Sequence, residues 1–186
     1  KKAAPKKTAP APAASSAGNP ALFTRADHGW AENLHRVDRF VKNTYEILSP
    51  LNELTAQMPM TGHRFLSPDR KIQHSVFGAG AAAVEVVVNA SQKPFSWKSS
   101  LGGELTLPPY GFLVESSDFV AFHAQTWNGL AYADAPLFTL RALDHQPLEK
   151  SRQVRVFHAF GDPRLKLSAS VQTVAKEAVL SPDANH

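Results

Sequence analysis

Residues 104–131 read ELTLPPYGFLVESSDFVAFHAQTWNGLA, and this stretch decides the fold class. Three short runs rich in Val, Leu, Phe and Thr (104–107, 111–115 and 119–127) are too brief for helices and carry the β-branched and aromatic residues that suit strands. The punctuation between them is that of turns. Pro108-Pro109-Tyr110-Gly111 breaks the first run from the second, and Asn128-Gly129 follows the third, a dipeptide whose residues both accept positive φ and so favour a tight hairpin. Trp127 and Leu130 should therefore flank such a turn.

Working outward, the same grammar recurs at 63–66, 73–77, 84–89, 95–98, 137–143 and 154–160, with Gly78-Ala79-Gly80 and Gly102-Gly103 as further turns. Residues 144–153, DHQPLEKSRQ, read as a longer exposed hairpin. Nine short strands at close spacing predict a mainly β chain built as an antiparallel β-sandwich over residues 62–167. Residues 168–186 are weakly patterned and read as a partly mobile C-terminal tail.

Upstream the period changes. Leu34, Val37, Val41, Tyr45 and Leu48 recur at spacings of three and four, which places them on one face of an amphipathic helix. Asp27 is a candidate N-cap, and Ser49-Pro50 predicts an end near Leu48, because proline disfavours helix in the residue before it. Residues 22–61 thus form a helical connector whose apolar face must pack on something, with Trp30, Leu34, Val37, Val41 and Leu48 as the packing residues. Residues 1–21, KKAAPKKTAPAPAASSAGNPA, have almost nothing to bury and read as a disordered linker or tail.

The chain has 186 residues, 20 Lys and Arg against 16 Asp and Glu, and a net charge of +4. Lys1, Lys2, Lys6 and Lys7 account for the whole excess, so the folded part is balanced. The basic segment has no aromatic residue to stack on a base, and no specific nucleic-acid partner is expected. The absence of cysteine removes disulfides, thiolate metal sites and cysteine nucleophiles. No run approaches the ~18 apolar residues of a membrane-spanning helix, and no signal-peptide pattern opens the chain. A start at Lys1 reads as a processed or excised piece.

Specific catalytic signatures are absent: there is no phosphate loop, HExxH pair, GxSxG elbow or EF-hand. The tripeptide Phe-His-Ala occurs twice, at 122–124 and 157–159; were those strands neighbours, His123 and His158 could share a face, but two imidazoles fall short of the three or four ligands a metal needs. Glu85, Glu104, Glu115, Asp118 and Asp134 are scattered, and nothing in their spacing selects a catalytic pair. Glu85, alternating with Val84, Val86 and Val88, is expected to face solvent. No cofactor and no catalytic residue are expected. Trp97, Trp127 and Tyr132 near strand ends, with Asn128 beside them, form a candidate carbohydrate-binding platform, although such rings also fill small sandwich cores.

The segments HRVDRFVKNTYEILSPLNELTAQMPMTGHRFL, VEVVVNAS, LPPYGFLVESSDFVAFHA and VRVFHAFGDPRL together resemble the C-terminal region of large bacterial glycoside-hydrolase-like proteins, where a β-sandwich follows a (β/α)8 barrel. The resemblance implies a non-catalytic accessory domain that stabilises or docks a catalytic barrel of the parent protein, with polysaccharide as a further partner and an extracellular or periplasmic setting. Two other readings stay open: a free-standing carbohydrate-binding module, and a structural or interaction protein tethered by its basic tail.

Overall fold

The computed structural model describes residues 22–25, 34–132, 134–160 and 171–175. A short 3-10 turn, Leu22–Thr24, precedes one long helix, α1 (Arg36–Thr55). Twelve strands follow among the described residues: β1 (Met60–Phe65), β2 (Ile72–Phe77), β3 (Val84–Asn89), β4 (Phe95–Lys98), β5 (Glu104–Leu107), β6 (Phe112–Glu115), β7 (Phe119–His123), β8 (Thr126–Trp127), β9 (Leu130–Ala131), β10 (Leu137–Ala142), β11 (Gln153–Phe160) and β12 (Val171–Ala175).

The strands form two antiparallel sheets, as expected from the sequence. The larger has the order β1-β2-β3-β6-β7-β10-β11-β12 and the smaller β4-β5-β8-β9. The large sheet is a meander interrupted twice, each time by a hairpin that leaves it to build the small sheet and then returns. The run at 119–127 is therefore two strands: the chain changes sheet at Ala124-Gln125, where the Gln125 amide donates to the Thr106 carbonyl. Asn128 and Gly129 both adopt positive φ, 46° and 83°, and close the β8–β9 hairpin as the dipeptide predicts.

Both faces of the central strands are covered, which explains why they read as continuous apolar runs. Val84, Phe112, Val114, Phe119, Ala121, Leu137, Phe157 and Ala159 form one core with Ile47 of α1. Val87, Leu113, Val120, Phe122, Phe138 and Val156 form a second with Leu105 and Leu107 of the small sheet. Successive residues of β7 alternate between the two cores, following the period of two in a strand. The layers are helix, large sheet and small sheet.

One turn clamps the sheets together. Asn89 is fully buried, and its amide donates to the Lys93, Leu107 and Pro108 carbonyls while its oxygen accepts from the Ser91 amide. Gly111 closes the Pro108–Gly111 turn that Asn89 holds, where a Cβ would come within 2.6 Å of the Pro108 ring and 2.8 Å of the His123 carbonyl. Only glycine fits so close an approach.

Two expectations are corrected. α1 does not stop at Leu48; it continues through Pro50 to Thr55. Proline costs a helix about 3 kcal/mol through its missing N–H and its clash with the preceding turn. That cost is offset here because Pro50 is buried and Leu51 and Leu54 beyond it pack on the first core. Likewise, residues 168–186 contain β12, which pairs with the edge of β11 from Phe157↔Val171 to Gln153↔Ala175. Backbone pairing supplies there what the weak side-chain pattern does not signal. Residues 1–21, Asp27 and Trp30 lie outside the described residues.

Candidate docking face

The stripe that the sequence marks for packing faces outward. Leu34, Val37, Val41, Tyr45 and Leu48 are between 36% and 61% exposed, and Phe40 beside them is 46% exposed. The buried residues of α1 are instead Asn43, Glu46, Ile47 and Pro50. A helix can bury so polar a face only if its charged groups are paired, and Glu46 is, although the Asn43 Oδ1 beside it has no hydrogen-bond partner. Arg155 of β11 grips Glu46 with both guanidinium nitrogens, at 2.5 and 2.8 Å, and Lys42 reaches the same carboxylate at 2.6 Å. Burial alone would raise the Glu46 carboxyl, but Arg155 and Lys42 outweigh it and hold it below the ordinary glutamate value. Asn43 donates to the Phe23 carbonyl, and Arg141 pairs with Glu53 at 2.7 Å. His35 caps the first turn, its Nδ1 accepting from the Val37 amide. The helix is thus bolted to the large sheet by ion pairs and apolar contacts on one side, leaving its most apolar side to solvent.

The aromatic candidates sit elsewhere and differently from a platform. Trp97 and Trp127 are both register partners of Leu105, so the three form one row across β4, β5 and β8. That row faces the large sheet, and Trp97, Trp127 and Tyr132 all pack on the second core. The Trp127 ring meets Phe122 edge-on at 5.0 Å, and its Nε1 donates to the Gly102 carbonyl. Trp97 lies 4.9 Å from the His74 ring. Asn128 alone of the four is exposed, at the hairpin tip.

The two histidines do not meet. β10 runs between β7 and β11, pairing Leu137 with His123 and Phe138 with His158. His123 lies on the helix side of the sheet, whereas His158 stacks on Phe138 at 4.7 Å on the other. Among the described residues no group of three or more His, Asp and Glu is placed to hold a metal ion.

Strand order does select one acid pair that spacing could not: Glu85 and Glu115 are direct partners across β3 and β6. Glu85 is not solvent-facing as its alternation suggests, because the small sheet covers that side. Arg64 donates to His74 Nδ1, leaving the ring's Nε2–H for Glu85 at 2.9 Å. Glu115 is 1% exposed and accepts from the Ser99 hydroxyl and the Ser100 amide, holding the β4–β5 turn. A carboxylate so enclosed and so engaged braces a turn; it has no surface on which to meet a substrate.

No protein-family model, curated protein or solved structure matches the chain. No helix among the described residues is long and apolar enough to cross a membrane.

Proposed function

We propose that this chain is a non-catalytic docking module: an antiparallel β-sandwich that fixes α1 in place and offers its outer apolar face to another folded protein surface. The observation that carries this reading is the exposed row Val37, Val41, Tyr45 and Leu48, with Leu34 just ahead of the N-cap, on a helix whose opposite side is held by the buried Glu46–Arg155 pair. Contiguous apolar surface of this kind on a soluble fold marks an interaction site. The resemblance to sandwich regions of glycoside-hydrolase-like proteins supplies a candidate setting, an accessory role beside the catalytic barrel of a carbohydrate-active parent. No comparable observation favours direct glycan binding, since Trp97, Trp127 and Tyr132 are committed to the second core.

Hydroxyl-radical footprinting of the native assembly against the isolated chain tests the proposal. Val41, Tyr45 and Leu48 should label strongly in the isolated chain and several-fold less in the assembly. Equal labelling in both, or release of reducing sugar by the purified chain, overturns it.

A further inference from the structure

His74 ties together two charged side chains from different strands. It is 7% exposed on the small-sheet side of β2, with Arg64 of β1 directly opposite and Glu85 of β3 diagonal to it. The Arg64 Nε–H donates to Nδ1 at 3.1 Å, and the ring's Nε2–H donates to Glu85 at 2.9 Å. A guanidinium only donates, so the first bond requires a bare Nδ1 and a neutral ring. A proton added at Nδ1 removes that acceptor and sets an imidazolium beside a guanidinium. The other neighbours suit the new charge. Glu85 gains an ion pair, Glu115 stands next to Glu85 on β6, and the Trp97 ring of β4 lies 4.9 Å away, tilted by 49°. His63 lies on the other face of β1, bonded to Ser75. Arg64 itself is exposed and can turn to water. We infer that His74 is a proton-operated latch on β1: when protonated, the ring stays with Glu85 and Trp97 and releases Arg64, loosening the outermost strand of the large sheet.

β1 is a strand that such a change can move. Among the described residues it is outermost in the large sheet and pairs only with β2, and every residue of it but Gly62 is exposed. Its pairing already slips between Met60 and Gly62. Little apolar burial supports the ladder, so polar ties such as Arg64 to His74 and the Thr61 hydroxyl to the Gly78 carbonyl weigh more. An edge held in this way opens locally while the rest of the sheet stays folded. Histidine is the side chain whose charge ordinarily changes between about pH 5 and 8, which makes mild acid the stimulus.

Nuclear magnetic resonance of the full chain, titrated from about pH 7 to about pH 4.5, follows the His74 ring nitrogens across the range in which histidines titrate. Hydrogen exchange of the amides paired between β1 and β2, read as protection relative to the unstructured chain at each pH, follows the strand. As the ring takes up its proton, β1 protection should fall about tenfold with the same midpoint, the worth of a hydrogen bond from a charged donor. The amides paired between β2 and β3 should lose far less. Arg64→Gln puts an amide nitrogen where the Arg64 Nε stands and, turned over, offers its oxygen to a protonated Nδ1. β1 should therefore keep its protection throughout in that variant. His63 and His123 are kept in it, so whatever they contribute to the pH dependence is kept too. A His74 that stays neutral to the end of the titration, a ring that titrates without loss of β1 protection, or an equal loss in Arg64→Gln overturns the inference.

Discussion

His123 shows what burial does to a single group. It is 6% exposed, bonded through Nδ1 to the Pro136 carbonyl at 3.2 Å, and burial pushes its imidazole down to about 4. The unfolded chain titrates near the ordinary histidine value of about 6.5, so below that pH it binds a proton that the folded chain refuses. Stability therefore falls as pH drops from about 6.5 towards 4, by up to about 3 kcal/mol once both states are protonated. Urea unfolding midpoints measured between pH 7 and 4.5 should decline in the wild type, and the decline should be shallower in His123→Gln, which keeps an N–H donor without titrating. A second residue separates packing from recognition. Trp127→Ala removes the ring against Phe122 and the bond to the Gly102 carbonyl, and should cost about 2–3 kcal/mol, toward the lower end of aromatic truncations because the ring is only half buried. Asn128→Gly, at a position with φ of 46°, should change stability by no more than about 0.5 kcal/mol in the same assay.

At the scale of elements, strands were legible and the helix only half so. Strand positions follow from local chemistry: Asn128-Gly129 needs no tertiary context to turn, and β-branched runs such as 84–89 need little to extend. The helix was visible by its period, but period does not say which face is covered. Leu34, Val37, Val41, Tyr45 and Leu48 are the most apolar positions, yet the face that packs is the one where Glu46 finds Arg155, a residue 109 positions away. No spacing rule reaches so far, and for the same reason Pro50 misreads as a terminator. The Glu85–Glu115 pair was hidden likewise, because the β4–β5 excursion separates β3 from β6 in sequence. The Glu46–Arg155 pair carries its own prediction. Arg155→Met leaves a 2% exposed carboxylate with only Lys42 and should cost about 3 kcal/mol, as removal of one member of a buried pair does. Adding Glu46→Leu should recover most of that loss, since an apolar pair of similar volume replaces both desolvated charges. Urea unfolding of the two single variants and the double variant completes the cycle.

At the scale of the molecule, the large sheet belongs to two cores at once. Phe119 and Ala121 point to the helix layer, and Val120 and Phe122 point to the small sheet. Neither layer can leave without stripping one face of β7, so the helix and the small sheet should unfold in one cooperative step. This sets the chain apart from a sandwich with a loosely attached connector, in which α1 would melt first. Far-UV circular dichroism at helix-sensitive wavelengths follows α1, and tryptophan fluorescence in a Trp30→Phe background follows Trp97 and Trp127, the two indoles of the small sheet. The two urea curves should superimpose, as coincident probes do for a two-state domain. Leu105→Ala, which empties a fully buried position of the second core, should shift both curves together by about 2–5 kcal/mol. Separation of the curves, with the ellipticity moving first, would show that α1 is held more weakly than its ion pairs imply, and would remove the rigid support on which a docking face depends.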